Sequence, residues 1–252
     1  MSELRRVSVR VPSSRGEEAR ALLLGLAPEG FEERELDGLV ELAAYTDEDG
    51  EAAIRGAFAE VSVVPVEAGW EGRWRDFHRP VEAGGIWIGP PWAPAPAGLP
   101  TVVIEPGLAF GTGSHATTRL CVELLATVVR GSLVDVGCGS GVLAIAARRL
   151  GFEPVTAIDI DPVAIDVTRA NAAANGVVVE ARVGDAVGAA LPPADVLVAN
   201  VSLAVVEDTL DNAVATVAVT SGYLVGERPE SPDWRPVARR GLDGWAADLL
   251  SR

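Results

Sequence analysis

The segment LVDVGCGSG, residues 133–141, places an acid and a run of glycines where an apolar strand ends and a helix begins. Glycines in such a turn let backbone N–H groups approach a bound ligand closely. Nicotinamide-dependent enzymes use G-x-G-x-x-G/A, but Val142 occupies the last position of that pattern here. The acid Asp135 can accept a hydrogen bond from a cationic amine, whereas it would repel a pyrophosphate. The pattern therefore favours S-adenosylmethionine, with Asp135, Gly137 and Gly139 as cofactor-binding residues.

The run AIDIDP, residues 157–162, contributes two more acids at the end of the next predicted strand. Doubly wound folds place a carboxylate at this point to hold ribose hydroxyls, so we expect Asp159 to bind the cofactor. Asp161 stands directly before Pro162, an order typical of an N-cap followed by the first helical residue. The sequence therefore assigns Asp159 to the ligand and Asp161 to helix capping.

Two polar residues follow later predicted strands. Asp185, in the run VGDA, either accepts the adenine amino group or caps a turn, and the sequence favours neither interpretation. Asn200 ends the run ADVLVAN. Ligands of doubly wound folds bind at the carboxyl ends of the strands, beside the point where the strand order reverses. An asparagine there can present its carbonyl to an incoming amine, so we expect Asn200 to orient the acceptor.

The segment EPGLAFGTGSHATT, residues 105–118, precedes an apolar helix and is too long for a simple turn. Its glycines and hydroxyl side chains suit a loop that closes over a ligand. A capped helix start is the simpler interpretation, in which Thr117 or Thr118 supplies the cap. Taken alone, His115 favours a structural role over a catalytic one.

The elements that position these residues alternate between strand and helix from Thr101 onward. Short runs rich in β-branched residues predict strands, and segments with helical spacing separate them. Strands buried on both faces and joined by helices indicate an α/β fold with a parallel sheet. The predicted strands are Leu133–Val136, Val155–Ile158, Val178–Val183 and Val196–Ala199, and the predicted helices are His115–Arg130, Val142–Leu150 and Pro162–Asn175.

Two further segments precede this domain. Residues 1–66 predict the order βαββαβ, which is typical of a small α+β ferredoxin-like domain. Residues 67–100 are rich in tryptophan and proline and predict a linker. In this linker, Trp70, Trp74 and Phe77 share one helical face, which either packs on a neighbouring domain or contacts the substrate. The predicted domains are therefore residues 1–66, 67–100 and 101–252.

Composition limits the classes of partner. The chain has 252 residues, a formal net charge of −15 at pH 7 and no lysine. A surface this acidic repels phosphate, so we expect no direct nucleic-acid binding, whereas a basic protein is an electrostatically favoured partner. Two cysteines and two histidines indicate neither a disulfide framework nor a metal site. With no apolar leader and no membrane-spanning stretch, the sequence predicts a cytoplasmic protein.

Three motifs together resemble those of the ribosomal-protein lysine methyltransferase family, PrmA. They are EPGLAFGTGSHATTRLCVELL at 105–125, VDVGCGSGVLAIAARRLG at 134–151 and AIDIDPVAIDVTRANAAANG at 157–176. The resemblance implies a Rossmann-like seven-strand domain that binds S-adenosylmethionine. It also implies that the amino-terminal domain recognises a basic protein of the large ribosomal subunit. The implied reaction is methyl transfer to lysine nitrogens of that protein, with its α-amino nitrogen as a second acceptor.

The resemblance also assigns site residues by position. Thr118 is the second threonine of the family's TT pair, and Asn200 is the asparagine that ends the fourth strand of the domain. Asn200 is the predicted catalytic residue, and no metal ligand is predicted. Together with the residues argued above, the predicted cofactor-binding set is Phe110, Thr118, Asp135, Gly137, Gly139, Asp159, Asp185 and Asn200.

Two departures from the family pattern bear on the acceptor. The family reads close to N-I-L-A with a nearby proline, whereas this chain has NVSLA from Asn200 and no proline. The chain after Leu224 also leaves little room for the usual last helix before the closing hairpin. A methyltransferase for a different protein or a small-molecule amine therefore stays open. So do a non-catalytic binding module, which the intact cofactor residues oppose, and a nicotinamide oxidoreductase, which Asp135 and Val142 oppose.

Overall fold

The chain forms two compact units, Met1–Phe77 and His78–Arg252. The computed structural model describes residues 5–27, 31–36, 38–65, 78–106, 111–188 and 190–252. The structure does not divide the chain as predicted for residues 67–100. Part of the predicted linker belongs to the second unit, because residues 81–103 contain three of its strands. The helical face predicted for Trp70, Trp74 and Phe77 lies outside the described residues.

Over its described residues, the first unit is an antiparallel four-stranded sheet with two α-helices. Its elements are β1 (Arg5–Pro12), α1 (Gly16–Leu26), β2 (Phe31–Leu36), β3 (Leu39–Thr46), α2 (Glu48–Ala57) and β4 (Val61–Pro65). The strand order β2-β3-β1-β4 confirms the predicted ferredoxin-like fold. Alternate residues Val7 and Val9 of β1 share one apolar core with Ile54 of α2, which explains the period-two pattern of the strand.

The second unit combines a three-stranded sheet, a seven-stranded sheet and four helices along the part of the chain that is described. The small sheet consists of β5 (Val81–Ala83), β6 (Ile86–Gly89) and β7 (Thr101–Val103). The helices are α3 (Ala116–Leu125), α4 (Val142–Leu150), α5 (Pro162–Ala174) and α6 (Leu203–Asn212). The large sheet consists of β8 (Leu133–Val136), β9 (Val155–Asp159), β10 (Glu180–Val183), β11 (Val196–Asn200), β12 (Val217–Leu224), β13 (Arg235–Leu242) and β14 (Trp245–Ser251).

The large sheet has the strand order β10-β9-β8-β11-β12-β14-β13. Strands β8 to β12 are parallel, and β14 runs antiparallel to both of its neighbours. The chain starts in the middle at β8, adds β9 and β10 on one side, and then adds β11 and β12 on the other. The strand order therefore reverses between β8 and β11, and the parallel strands all end at one edge, here called the carboxyl edge. This arrangement confirms the predicted Rossmann-like α/β fold.

Both faces of the large sheet are covered. One apolar core includes Ile88 of the small sheet, Leu120 of α3 and Ile145 of α4. The core on the opposite face contains Leu210 of α6 and Trp234. Because the central strands are buried on both faces, their sequences are nearly continuous apolar runs.

One predicted helix ends earlier than expected, and the segment before the closing hairpin lacks a helix, as expected. Helix α3 ends at Leu125 rather than Arg130, and the Arg130 guanidinium donates to the carbonyls of Leu125 and Ala126 at the end of the helix. Residues 225–234 contain no helix before the closing hairpin, as the shortness of this segment indicates. Trp234, at the end of this segment, is buried in the core that contains Leu210, with Nε1 donating to Leu210 O at 3.0 Å.

None of the helices in the described ranges is both long enough and apolar enough to cross a lipid bilayer.

Candidate functional site

The turn after β8 has a backbone that favours glycine. Gly137, Gly139 and Gly141 have φ values of 69°, 52° and 80°, in the left-handed region. A Cβ on Gly137 would lie 2.3 Å from Val201 Cγ1, and one on Gly141 would lie 2.8 Å from Thr168 Cγ2. The turn therefore brings bare backbone to the carboxyl edge, as its sequence predicts.

Buried polar side chains of α5 hold this turn. The Thr168 hydroxyl donates to Gly139 O at 3.0 Å, and the Asn171 amide donates to Ser140 O at 2.9 Å. The Ser140 hydroxyl donates to Gly111 O and so joins the loop before α3 to the turn. Neither Thr168 nor Asn171 was predicted from the sequence, although two polar residues three apart on the buried face of a helix are a signal for such a role.

Asp135 lies beside the turn with 1% of its surface exposed. Its Oδ2 accepts from Ala144 N–H at 3.0 Å in the first turn of α4, whereas its Oδ1 is buried and has no partner among the described residues. Burial raises the pKa of this carboxyl to about 7, the Ala144 bond opposes that rise, and the negative charge of Asp159 adds to it. The unpartnered oxygen fits a cationic amine, while the bond to Ala144 gives Asp135 a structural role that the sequence did not indicate.

The two acids after β9 have separate tasks. Asp159 Oδ2 accepts from Gly139 N–H at 2.9 Å, and its Oδ1 accepts from Asp161 N–H at 3.0 Å. Asp161 is the N-cap of α5, with its side chain accepting from Val163 N–H at 2.8 Å. The predicted capping role of Asp161 is confirmed. Asp159 is only partly buried and lies next to the turn, so its predicted ligand role agrees with its position.

Helix α3 brings Thr118 to the end of β11. Thr118 is 2% exposed in the first turn of the helix. Asn200 is partly exposed, and its Nδ2 donates to Thr118 Oγ1 at 3.4 Å. Within the described chain no donor bonds the amide oxygen of Asn200, so this oxygen is an acceptor available at the point where the strand order reverses.

His115 caps α3, and neither Thr117 nor Thr118 does. The extended backbone at His115 lets its Nδ1 accept from Thr117 N–H at 3.4 Å, and Nδ1 also lies 2.8 Å from Thr117 Oγ1. The prediction of a threonine cap is wrong, because both threonines already lie inside the first helical turn. The prediction that His115 has a structural role is confirmed by this contact.

The residue after β11 is held between two glycines. Val201 occupies the space that a Cβ on Gly137 would need, and a Cβ on Gly222 would lie 1.9 Å from Val201 O. Gly222 has a φ of 104° and lies at the register shift between Ser221 and Tyr223 in β12. A glycine inside a strand pattern indicates such an irregularity, and this signal was present in the sequence.

Two predicted residues are not brought into this cluster by a described contact. Asp185 is exposed, and its Oδ1 accepts from Val187 N–H at 2.9 Å, which is the turn-capping alternative. Its contact with adenine remains a prediction. Phe110 lies outside the described residues. In the ranges that the structure covers, no three His, Cys, Asp or Glu side chains are grouped so as to hold a metal ion.

The comparisons with known proteins agree with this geometry. The family "Ribosomal protein L11 methyltransferase (PrmA)" matches residues 33–226. A relative with the same name from Symbiobacterium thermophilum is 39% identical over 203 residues, which are 74% of this chain and 66% of the relative. One from Azotobacter vinelandii is 48% identical over 138 residues, which are 52% of this chain and 47% of the relative. The chain thus spans about half to two-thirds of the length of these relatives.

A solved structure leads to the same family. The crystal structure of ribosomal protein L11 methylase from Lactobacillus delbrueckii subsp. bulgaricus superimposes with a TM-score of 0.59 at 25% identity. The superposition covers 69% of this chain and 99% of that one. Because the family match extends over most of the chain and includes the glycine turn, Asp159 and Asn200, the chain belongs to the ribosomal protein L11 methyltransferase (PrmA) family.

Proposed function

We propose that this chain transfers methyl groups from S-adenosylmethionine to lysine nitrogens of ribosomal protein L11, with the α-amino nitrogen as a second acceptor. The observation that carries the proposal is the contact between Thr118 and Asn200 beside the glycine turn, where the strand order reverses. Ligands of doubly wound folds bind at that point. The substrate is the one for which these relatives are named.

The residues of the carboxyl edge fit this cofactor. The bare backbone at Gly137 and Gly139 admits a ligand close to the turn, and the unpartnered Oδ1 of Asp135 would accept from its cationic amine. Asp159, at the end of β9, would hold the ribose hydroxyls, and Asp185 would accept from adenine. When bound, S-adenosylmethionine supplies a methyl group on a positively charged sulfur.

The protein's main task at the acceptor is orientation. Holding donor and acceptor in line contributes roughly 7–11 kcal/mol to a bimolecular reaction. A lysine amine has a reference pKa of about 10.4, so neutralising it at pH 7 costs roughly 4–5 kcal/mol. Exclusion from water beside a cation lowers that pKa, so we propose that no dedicated base is required. The carbonyl of Asn200 would accept an N–H of the neutral amine and so direct its lone pair.

The transfer balances without a further reactant. The lone pair of the amine forms the new N–C bond, and the S–C bond breaks with its electron pair on sulfur, which becomes a thioether. The methylated nitrogen carries the positive charge and then loses a proton to water. A second transfer to the same nitrogen requires this deprotonation first.

Charge supports a basic protein as the partner. The formal net charge of −15 favours association with a cationic surface and opposes contact with phosphate. In the first unit, Glu32 and Glu41 pair with Arg6, whereas Glu48 and Asp49 are exposed at the start of α2. We therefore propose the start of α2 as the acidic surface that meets the substrate. A cytoplasmic location follows from a ribosomal substrate.

The decisive experiment is intact-protein mass spectrometry of ribosomal protein L11 incubated with the purified chain and S-adenosylmethionine. Mass gains in multiples of one CH₂ group are expected on the substrate. Because the chain has no lysine, a gain on the enzyme itself would be confined to its terminal amine. Isothermal titration calorimetry with S-adenosylhomocysteine, the demethylated product, reports cofactor binding in the same samples.

A second candidate is a methyltransferase for a different amine. The observation that favours it is the acceptor-side segment, where NVSLA begins at Asn200, the last residue of β11, and residues 225–234 form no helix. Cofactor binding without any gain in substrate mass would overturn the ribosomal substrate and support this candidate. Absence of both would leave a non-catalytic binding module.

A further inference from the structure

Trp245 lies at the same edge of the sheet as the site. It is the first residue of β14 and pairs with Leu224, the last residue of β12. Because β14 runs antiparallel to β12, its first residue stands at the carboxyl edge, where β12 ends. The indole is only partly buried there.

The face of the sheet to which Trp245 points follows from strand alternation. Ala247 and Leu249 belong to the core that contains Leu120 of α3, whereas Ala246 belongs to the core on the opposite face. Alternate residues of a strand share a face, so Trp245 points towards α3. The structure agrees, because the indole and the His115 imidazole meet edge to face with centroids 5.0 Å apart and an interplanar angle of 69°.

A short series of contacts joins this aromatic pair to the site. His115 caps α3, Thr118 lies in the first turn of that helix, and Thr118 bonds Asn200 at 3.4 Å. These three residues and Trp245 therefore form one cluster beside the ends of β11, β12 and β14. Asp135, the glycine turn and Asp159, which are proposed for the cofactor, lie at the ends of β8 and β9, on the other side of the point where the strand order reverses. Thr118 and Asn200, which also belong to the predicted cofactor set, lie on the same side as Trp245.

We propose that Trp245, fixed in orientation by His115, forms the wall of the acceptor site and binds the alkylammonium group of the substrate lysine. This inference rests on the proposed function, because it assigns a residue to the acceptor side of the same site. An indole binds cations through its ring face more strongly than any other side-chain aromatic ring. A methylated lysine becomes cationic after each transfer, so an indole wall keeps it in the site for the next transfer.

The first test compares Trp245→Leu, which keeps apolar bulk, with Trp245→Phe, which keeps an aromatic face. We expect Trp245→Leu to lower kcat/KM on ribosomal protein L11 about tenfold and to shift the products towards the monomethyl form. Trp245→Phe should recover most of both effects. Val237→Ala, on the exposed part of β13 in the same hairpin, is the matched control and should behave as wild type. Affinity for S-adenosylhomocysteine should change less than about twofold in all three variants. Equal activity and equal product distributions in Trp245→Leu and wild type would overturn the proposal.

A second test needs no methylation. The chain has six tryptophans, so its indole N–H signals in a ¹⁵N-labelled sample are few, and the one missing in Trp245→Phe belongs to Trp245. With S-adenosylhomocysteine present, Nε,Nε-dimethyl-lysine amide should shift that signal, and uncharged norleucine amide should not. Equal shifts, or none, would contradict a cation-binding wall. If the Trp245 signal shifts but the enzyme methylates no ribosomal protein, only the proposed function is refuted. If Trp245→Leu methylates ribosomal protein L11 as wild type does, only this inference is refuted.

Discussion

The side-chain amide of Asn200 lies 3.4 Å from the hydroxyl of Thr118, although 82 residues separate them in the chain. The contact joins the end of β11 to the first turn of α3, directly beside the turn that follows β8. Thr118 is buried, so the hydroxyl offers a fixed partner for the amide nitrogen. The amide oxygen of Asn200 then has a defined direction before any substrate arrives, which is the condition for orienting an acceptor amine.

Asn200→Ala should remove this orientation while leaving the fold intact. We expect kcat on ribosomal protein L11 to fall about 100-fold, because a small misplacement of reacting groups costs about that much. Affinity for S-adenosylhomocysteine should fall far less, since the glycine turn and Asp159 remain. Stopped time courses with mass-spectrometric detection give the rates, and calorimetry gives the affinities. A near wild-type rate would show that Asn200 does not orient the amine.

Two substitutions of Thr118 test whether its hydroxyl orients Asn200. Thr118→Ser keeps the hydroxyl that Asn200 contacts, and Thr118→Val removes it with little change in size. If the contact orients Asn200, Thr118→Val should lower kcat, and the loss should not add to that of Asn200→Ala in the double variant. Additive losses would mean that the two residues act separately.

Gly137→Ala should destabilise the protein through two separable effects. A left-handed backbone costs a non-glycine residue about 1–2 kcal/mol, and the new Cβ would lie 2.3 Å from Val201 Cγ1. Overpacking of this kind adds roughly 1–3 kcal/mol. Urea unfolding of the cofactor-free protein measures the total.

Gly176→Ala isolates the first of these effects. Gly176 has a φ of 63° and nothing within 4 Å of an added Cβ, so only backbone strain should appear. Adding Val201→Ala to Gly137→Ala should remove the clash but not the strain. If Gly137→Ala costs no more than Gly176→Ala, Val201 yields to the new methyl group and the packing explanation is wrong.

Much of this architecture was predictable because local signals and tertiary requirements agree. The predicted strand Leu133–Val136 and helix Val142–Leu150 match the structure residue for residue. Each is bounded by glycine or by a clear change of hydrophobic period. The strand order of the first unit also followed from βαββαβ alone. In both units the hydrophobic pattern agrees with one fold only, and the fold could therefore be predicted from the sequence.

The remaining features depend on contacts that no local pattern records. The small sheet of β5, β6 and β7 falls in a segment rich in proline and tryptophan, where composition predicted a linker. Burial of Ile86 and Ile88 in the core of the second unit outweighs that composition. At the site, the sequence identified Asp135 as an acid near a cationic ligand. The sequence did not indicate that Oδ2 of Asp135 accepts a hydrogen bond from Ala144 N–H, because that bond depends on where α4 begins.

Single substitutions at Asp159 and Asp161 can separate the effect of ligand binding from that of helix capping. Asp161→Ala removes the N-cap of α5 and should cost about 0.5–2 kcal/mol of stability, with affinity for S-adenosylhomocysteine within about twofold of wild type. Asp159→Ala should weaken that affinity about 10- to 100-fold, because hydrogen bonds to charged groups contribute about 1.5–3 kcal/mol. Calorimetry and urea unfolding of both variants decide the matter. A stability loss without an affinity loss in Asp159→Ala would make Asp159 a brace for Gly139 only.

The raised pKa of Asp135 should make the cofactor-free protein less stable as the pH rises. In the unfolded chain the carboxyl loses its proton near its reference pKa of about 3.9, whereas in the folded protein its pKa is about 7. Between these values the folded state binds the extra proton, so stability falls with increasing pH and levels off above about 7. Asp135→Asn has no such titration. Its free energy of unfolding should therefore gain on wild type by up to about 4 kcal/mol between pH 4 and pH 8.

The same carboxyl links cofactor binding to proton release. A cationic amine against Oδ1 of Asp135 favours the ionised form. Near pH 7 the free carboxyl is about half protonated, so binding of S-adenosylhomocysteine should release up to about half a proton from wild type. Calorimetry in two buffers of different ionisation enthalpy measures the number of protons released on binding. Asp135→Asn should release fewer protons than wild type, because the residue at position 135 then has no proton to lose. Equal proton release by the two proteins would mean that the ligand amine does not meet Asp135. The carboxyl would then serve only to hold Ala144 at the start of α4.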